Sequence, residues 1–111
     1  MGDDIWVIKL GNGPKQVFYS ASIHANEWIT TPVLMKFIED YANAYVSNNN
    51  LLGYSVRRLF QSTSIFIMPM VNPDGVNLVT NAIPINSPSY QMARNISNNF
   101  PAIPFPSRLE S

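Results

Sequence analysis

The chain has no cysteine, which excludes disulfides, thiolate metal sites and a cysteine nucleophile. It has a single histidine, His24, so any chemistry that needs two imidazoles cannot be assembled from this chain alone. Charge imbalance is also missing, because 7 Lys and Arg stand against 7 Asp and Glu. With no basic stripe and no run of like charge, nothing points to nucleic acid or to an anionic membrane surface as a partner. The apolar runs are far too short for a membrane span. Met1 is followed by Gly2-Asp3-Asp4 rather than by a basic segment and an apolar core, so no signal peptide is expected at this start. Internal repeats and low-complexity linkers are lacking as well.

What is present suffices for one modest core. A chain of 111 residues, 46% hydrophobic, makes no more than one domain. Ile5 to Leu10 (IWVIKL) is rich in β-branched and aromatic residues and reads as a strand. Gly11-Asn12-Gly13-Pro14 is a dense turn signal, and Val17 to Ile23 (VFYSASI) reads as a second strand. The two predict an antiparallel hairpin, with Ser20, Ala21 and Ser22 suited to a strand packed closely on both faces.

Thr30-Thr31-Pro32 reads as a helix start, a threonine cap with proline at the first helical position. Val33, Leu34, Phe37, Ile38, Tyr41, Ala44 and Tyr45 follow at helical spacing and Lys36, Glu39, Asp40 and Asn43 fill the other face. The helix is expected to stop near Ser47, before Asn48-Asn49-Asn50, with a short second helix within Leu52 to Phe60. Ser64 to Met70 (SIFIMPM) has the apolar content of a strand buried on both faces, with Pro69 limiting its pairing. Strand, helix, strand predicts a βαβ unit. The expected class is α/β, a partial mixed or parallel sheet built around that unit. From residue 80 onward five of the nine prolines are interleaved with Asn and Ser. This stretch reads as a long loop over 80–111, with room for one short helix around Ser89 to Asn95 capped by Ser87 or Ser89.

Two segments carry chemistry. In His24-Ala25-Asn26-Glu27-Trp28, a histidine and a glutamate three apart at a strand end can aim at one point, and imidazole nitrogen and carboxylate oxygen both suit Zn²⁺. By spacing alone the pair reads more readily as a strand-end histidine beside a helix-start glutamate that complements the macrodipole. Asn72-Pro73-Asp74-Gly75 has the proline and glycine placement of a tight turn. In a βαβ unit the flanking strands are parallel, so both segments leave the sheet at the carboxyl edge, where open α/β sheets bind ligands. A catalytic zinc takes about three protein ligands plus water. Here a third could only be a carboxylate such as Asp74 or Glu110, and no spacing marks either.

Ser22-Ile23-His24-Ala25-Asn26-Glu27-Trp28-Ile29-Thr30-Thr31-Pro32-Val33-Leu34 resembles the first zinc-ligand motif of the zinc carboxypeptidase family. Pro69-Met70-Val71-Asn72-Pro73-Asp74-Gly75-Val76 is similar to the asparagine-proline-aspartate-glycine segment that follows it. The wording is most similar to the bacterial branch that cuts γ-D-glutamyl-diamino acid bonds in cell-wall peptides, and the resemblance runs from about Ile5 to about Val79. It implies that residues 1–111 are the amino-terminal part of one metallopeptidase catalytic domain, an incomplete zinc-carboxypeptidase-like (phosphorylase/hydrolase-like) fold. It implies that His24 and Glu27 bind one Zn²⁺. The family's third ligand, substrate-gripping arginines and glutamate base have no match in this chain; Arg94-Asn95 lies out of context and reads as surface. The chain alone is therefore expected to lack catalytic residues and activity.

The resemblance further implies a peptide or muropeptide substrate. It implies a setting in the bacterial cell wall, in secretion or in the sporulating cell. Alternatives are a metallocarboxypeptidase removing C-terminal residues (although Asn26 stands where the animal enzymes carry arginine), an acyl-amino-acid hydrolase, and a degenerate peptide-binding relative. Trp6, Phe18, Phe37, Tyr41, Phe60 and Phe66 are expected in the core, Trp28 beneath the metal motif, and Arg57-Arg58 in solvent. Phe100 to Pro106 (FPAIPFP) is a candidate contact with another chain, and self-association through apolar surface is a further expectation.

Overall fold

The computed structural model describes residues 2–100. The chain runs through β1 (Ile8–Leu10), β2 (Lys15–Ser20), α1 (Thr30–Val46), β3 (Asn50–Leu51), β4 (Tyr54–Ser55), α2 (Val56–Ser62), β5 (Thr63–Met68), α3 (Pro73–Val79) and α4 (Pro88–Ser97). A single 3-10 turn at Ala25–Glu27 lies between β2 and α1. The class is α/β as expected, and β2 and β5 form the predicted parallel pair across α1, in register from Lys15 opposite Thr63 to Ser20 opposite Met68.

The expected hairpin is absent. β5 lies between β1 and β2 in the order β1-β5-β2, with β1 antiparallel to β5 from Ile8 opposite Ile67 to Leu10 opposite Ile65. The reason lies in the glycines read as a hairpin turn. Asn12 N–H donates to Phe60 O at 2.8 Å, and Gly11 (φ +93°) and Gly13 lie so close to Ser62 and Thr63 that a methyl group on either would overlap that backbone. Ser64 Oγ, buried, donates to Gly13 O at 2.8 Å. The Gly11–Pro14 segment thus wraps the start of β5 and leaves the gap between β1 and β2 for it. A short hairpin does exist at β3 and β4, turned by Leu52 (φ 50°) and Gly53 (φ +81°), directly ahead of α2.

One face of the sheet is covered. Ile65 and Ile67 are buried against Tyr41 and Ala44 of α1 and Val56 of α2, with Leu10, Leu34, Phe37, Ile38, Leu59 and Phe60 packed around them. Strand side chains alternate between faces, so Phe18, which pairs with Phe66 rather than with either isoleucine, points to the other side and is 58% exposed. Trp6 precedes β1 and is 73% exposed. Both therefore depart from the expected core set, whereas Tyr41 is buried and Phe37, Phe60 and Phe66 are partly buried. Ile5 to Val7, expected in the first strand, is exposed and unpaired in the sheet. Arg57 does not simply face water: its Nε donates to Tyr45 O at 3.1 Å and its guanidinium lies 5.8 Å from the Tyr45 ring centre.

Beyond Val79 the chain is irregular up to Ser87 and then forms α4, whose first turn is capped by Ser87 Oγ accepting from Tyr90 N–H at 3.2 Å. Tyr90 and Ala93 of α4 pack on Leu78 of α3 in a second small apolar cluster. Phe100 is exposed, and the rest of its proline-rich segment lies outside the described residues. Among the described residues, no helix is long and apolar enough to cross a membrane.

Gly13→Ala is expected to destabilise the fold by at least about 1–3 kcal/mol through overpacking against rigid backbone, read as a lower urea unfolding midpoint; an unchanged midpoint would refute the close approach. Tyr41 presents the opposite case, because its hydroxyl is buried without a hydrogen-bond partner among the described residues. Removing an unsatisfied buried hydroxyl relieves a desolvation cost of about 1–3 kcal/mol. Tyr41→Phe should hold or raise the thermal midpoint, and a clear drop would show that the hydroxyl has a partner.

Candidate metal centre

Because β2 and β5 are parallel, the segments leaving them emerge at one edge, and backbone bonds keep them together past the last strand residues. Ala21 N–H donates to Met68 O at 3.1 Å, Val71 N–H to Ala21 O at 3.0 Å and Asn72 N–H to Ser22 O at 3.1 Å. Pro69 interrupts this seam because it has no N–H. Its carbonyl accepts instead from Thr31 Oγ1 of α1, at 2.5 Å. Of the three residues expected in a closely packed strand, Ser20 ends β2 and is exposed, whereas Ala21 and Ser22 are buried but lie past the strand, with Ser22 at φ 51°. A non-glycine residue in that region costs on the order of 1–3 kcal/mol and persists only where its surroundings hold it.

The turn delivers the pair. His24 is extended (φ −87°, ψ 139°) and the 3-10 turn closes with Glu27 N–H donating to His24 O at 3.1 Å. Ala25 is fully buried and pins the turn from beneath, while His24 and Glu27 project outward with side chains 61% and 53% exposed. His24 Nδ1 and Glu27 Oε2 are 3.4 Å apart. Two ligands held at about 2.0–2.1 Å by a tetrahedral zinc stand about 3.3–3.4 Å from each other, so the separation and the donor types suit one ion. The same distance also suits a solvent-exposed ion pair when the imidazole is protonated, which is worth little in stability. Glu27 ends the 3-10 turn, and Trp28 and Ile29 continue in helical conformation into α1, so the carboxylate also stands at the amino end of that helix, where it complements the macrodipole. Trp28 does not lie beneath the pair; it is 46% exposed.

Asn72-Pro73-Asp74-Gly75 is a helix start and not an isolated turn. Asn72 Oδ1 accepts from Gly75 N–H at 2.9 Å, Pro73 takes the first helical position, and α3 follows. Gly75 is required by this cap, since a methyl group there would overlap the Asn72 side chain. α3 packs against the Ala25–Glu27 turn, which brings both chemistry-bearing segments to one place. Asp74 is engaged elsewhere, however. Its carboxylate accepts from Gly2 N–H at 2.9 and 3.0 Å and from Asp3 N–H at 3.4 Å, while Asn77 Nδ2 donates to Asp3 Oδ2 at 2.7 Å. Among the described residues no three His, Cys, Asp or Glu side chains converge, and Glu110 lies outside them. Two donors fit zinc, and the described chain adds no third.

The expected threonine cap takes another form. Ile29 occupies the position before α1 and makes no side-chain cap bond, which places Pro32 third in the helix. Thr30 Oγ1 donates to Glu27 O at 2.7 Å and accepts from Ser22 N–H at 2.9 Å, and Ser22 Oγ lies 2.6 Å from Thr31 Oγ1. This hydroxyl cluster went unread in the sequence. Its only trace there is a serine and two threonines flanking the His-x-x-Glu segment.

Comparison with known proteins gives consistent results. A family model described as zinc carboxypeptidase matches residues 1–108. The chain is 51% identical over 79 residues to gamma-D-glutamyl-L-diamino acid endopeptidase 1 of Lysinibacillus sphaericus, covering 71% of this chain and 20% of that protein. It is 47% identical over 83 residues to the uncharacterized protein YqgT of Bacillus subtilis (strain 168), covering 73% and 22%. A zinc carboxypeptidase of Saccharothrix mutabilis subsp. capreolus is 33% identical over 81 residues, covering 68% and 18%. The chain spans about a fifth of the length of these curated relatives.

The Asp74 clamp gives a pH signature. The Gly2 N–H holds this carboxyl below the usual aspartate range; burial opposes that shift and the Asp3 N–H adds to it. A lowered folded-state pKa means stabilisation that is complete above the ordinary aspartate value and lost as pH falls through the folded one. In an NMR titration the Gly2 and Asp3 amides should leave their bound positions together with Asp74, at a midpoint below that of an ordinary aspartate. A midpoint at or above it would refute the clamp.

Proposed function

The chain belongs to the zinc carboxypeptidase family, and from that premise we propose that the protein carrying it is a zinc peptidase in which His24 and Glu27 are two of the metal ligands. The observation that supports this most directly is the pair itself: two ligand types of the right chemistry, solvent-accessible, 3.4 Å apart. They stand at the carboxyl edge of parallel strands, where α/β folds place their ligand sites. When bound, zinc supplies a Lewis acid that polarises a scissile carbonyl and acidifies water.

This chain's own part is to hold two coordination positions and to leave the surface above them open. In this reading residues 1–111 form the amino-terminal part of the catalytic domain. The third ligand, the base and the groups that grip substrate come from elsewhere in the protein. For substrate we favour γ-D-glutamyl-diamino acid bonds of cell-wall peptides. The identity to an endopeptidase named for that bond is 51%, against 33% to a zinc carboxypeptidase. Removal of C-terminal residues is the second reading, supported by the family and by that lower identity.

The test uses the intact protein that contains this segment, supplied with zinc and a γ-D-glutamyl-diamino acid peptide. Expected are one zinc per chain and cleavage of that bond, with His24→Ala and Glu27→Gln each losing the metal and falling to background turnover. Retained zinc and turnover in both variants would remove the ligand assignment. The 111-residue chain by itself should bind zinc weakly and turn nothing over, because two protein ligands fall short of the usual three.

A further inference from the structure

The hydroxyls behind the His24–Glu27 turn are more numerous than a helix cap requires. Thr30 Oγ1 joins the Glu27 carbonyl (2.7 Å) to the Ser22 amide (2.9 Å), linking the last residue of the 3-10 turn to the residue before Ile23 and His24. Thr31 Oγ1 joins Ser22 Oγ (2.6 Å) to the Pro69 carbonyl (2.5 Å), and so ties the turn to the segment leaving β5. Ser22 Oγ also lies 3.4 Å from the Glu27 carbonyl and 3.5 Å from the Trp28 carbonyl. Ser22 is 1% exposed and holds a left-handed backbone, a conformation that favours glycine. A buried serine is tolerated there when its surroundings over-determine it, as the bonds to its amide and hydroxyl do.

The two exposed side chains have no comparable support. Apart from their mutual 3.4 Å approach, neither the His24 ring nor the Glu27 carboxylate has a hydrogen bond from another side chain among the described residues. Their relative position is set by the backbone from Ser22 to Trp28. We propose that Thr30 is a positioning residue for the His24–Glu27 pair, with Thr31 and Ser22 supporting it. Its hydroxyl clamps the backbone ahead of His24, at Ser22, to that of Glu27 and thereby sets the distance between the two ligands. This rests on the reading of the pair as metal ligands, and it deepens that reading. Groups behind metal ligands that orient them typically contribute 10–100-fold in metal affinity.

The experiment compares Thr30→Val, which keeps shape and loses the hydroxyl, with Thr30→Ser, which keeps the hydroxyl. The first measurement is on the metal-free 111-residue chain, as the nuclear Overhauser contact between the His24 ring and the Glu27 side chain, with unfolding followed in parallel. The second is Zn²⁺ affinity of the intact protein by chelator competition. Thr30→Val should lose the contact and weaken Zn²⁺ binding 10–100-fold, roughly the loss seen for other groups behind metal ligands. Thr30→Ser should restore both. If Thr30→Val does not fold, Thr30→Ala takes its place against the same serine control. A contact and an affinity unchanged in the hydroxyl-free variant overturn the positioning role while leaving the ligand assignment intact. Should His24→Ala leave Zn²⁺ affinity unchanged, the ligand reading falls. The metal-free contact then decides the positioning role alone, its loss in Thr30→Val and recovery in Thr30→Ser supporting it and its persistence overturning it.

Discussion

The seam between the segments leaving β2 and β5 is the constraint on which the rest depends. Two parallel strands diverge at their ends unless something keeps them together, and here three backbone bonds do so, at Ala21–Met68, Val71–Ala21 and Asn72–Ser22. Pro69 falls in the middle of that seam, where a strand would lose a ladder bond. The gap is closed from a third element, since Thr31 of α1 supplies the hydroxyl that the Pro69 carbonyl accepts. The start of α1 and the ends of β2 and β5 are therefore locked at one point, and the His24–Glu27 turn grows directly out of it. The geometry of the pair is a consequence of how the sheet ends.

Local chemistry was legible where a residue's own preferences decide the outcome. The helical spacing from Val33 to Tyr45, the stop near Ser47 and the apolar central strand all follow from side-chain pattern, and α1 and β5 form there. The site's two segments were placed at one edge by the parallel topology alone. What the pattern did not reveal was long-range. Gly11-Asn12-Gly13-Pro14 carries turn chemistry whether it closes a hairpin or wraps another strand. Only the contact with Ser62 and Thr63 distinguishes the two. Asn72-Pro73-Asp74-Gly75 was ambiguous for a related reason. Proline after a short polar residue opens a turn and a helix equally well, and α3 is only seven residues long, too short to show a period.

Burial was misjudged on the same grounds. An aromatic in a strand faces the core only if the core lies on that side, and Phe18 is on the face that α1 does not cover. β2 is bonded on one side only, and Phe18 and Tyr19 stay half exposed along it. The apolar surface of the described chain thus continues past what the chain itself buries.

The exposure of the pair bears on the proposed reading of it as a ligand pair. An exposed His–Glu contact contributes about 0–1 kcal/mol to folding, which does not account for the apparatus behind it. That apparatus comprises a left-handed buried serine, two threonine hydroxyls spent on backbone carbonyls, and a fully buried alanine under the turn. These contacts surround the backbone between Ser22 and Trp28, at the start of α1, which has no side-chain cap at Ile29. The turn is held by backbone and hydroxyl contacts while its two polar side chains remain in solvent. The proposal that they are metal ligands rests on that contrast and on their 3.4 Å approach, a separation that an exposed ion pair also gives.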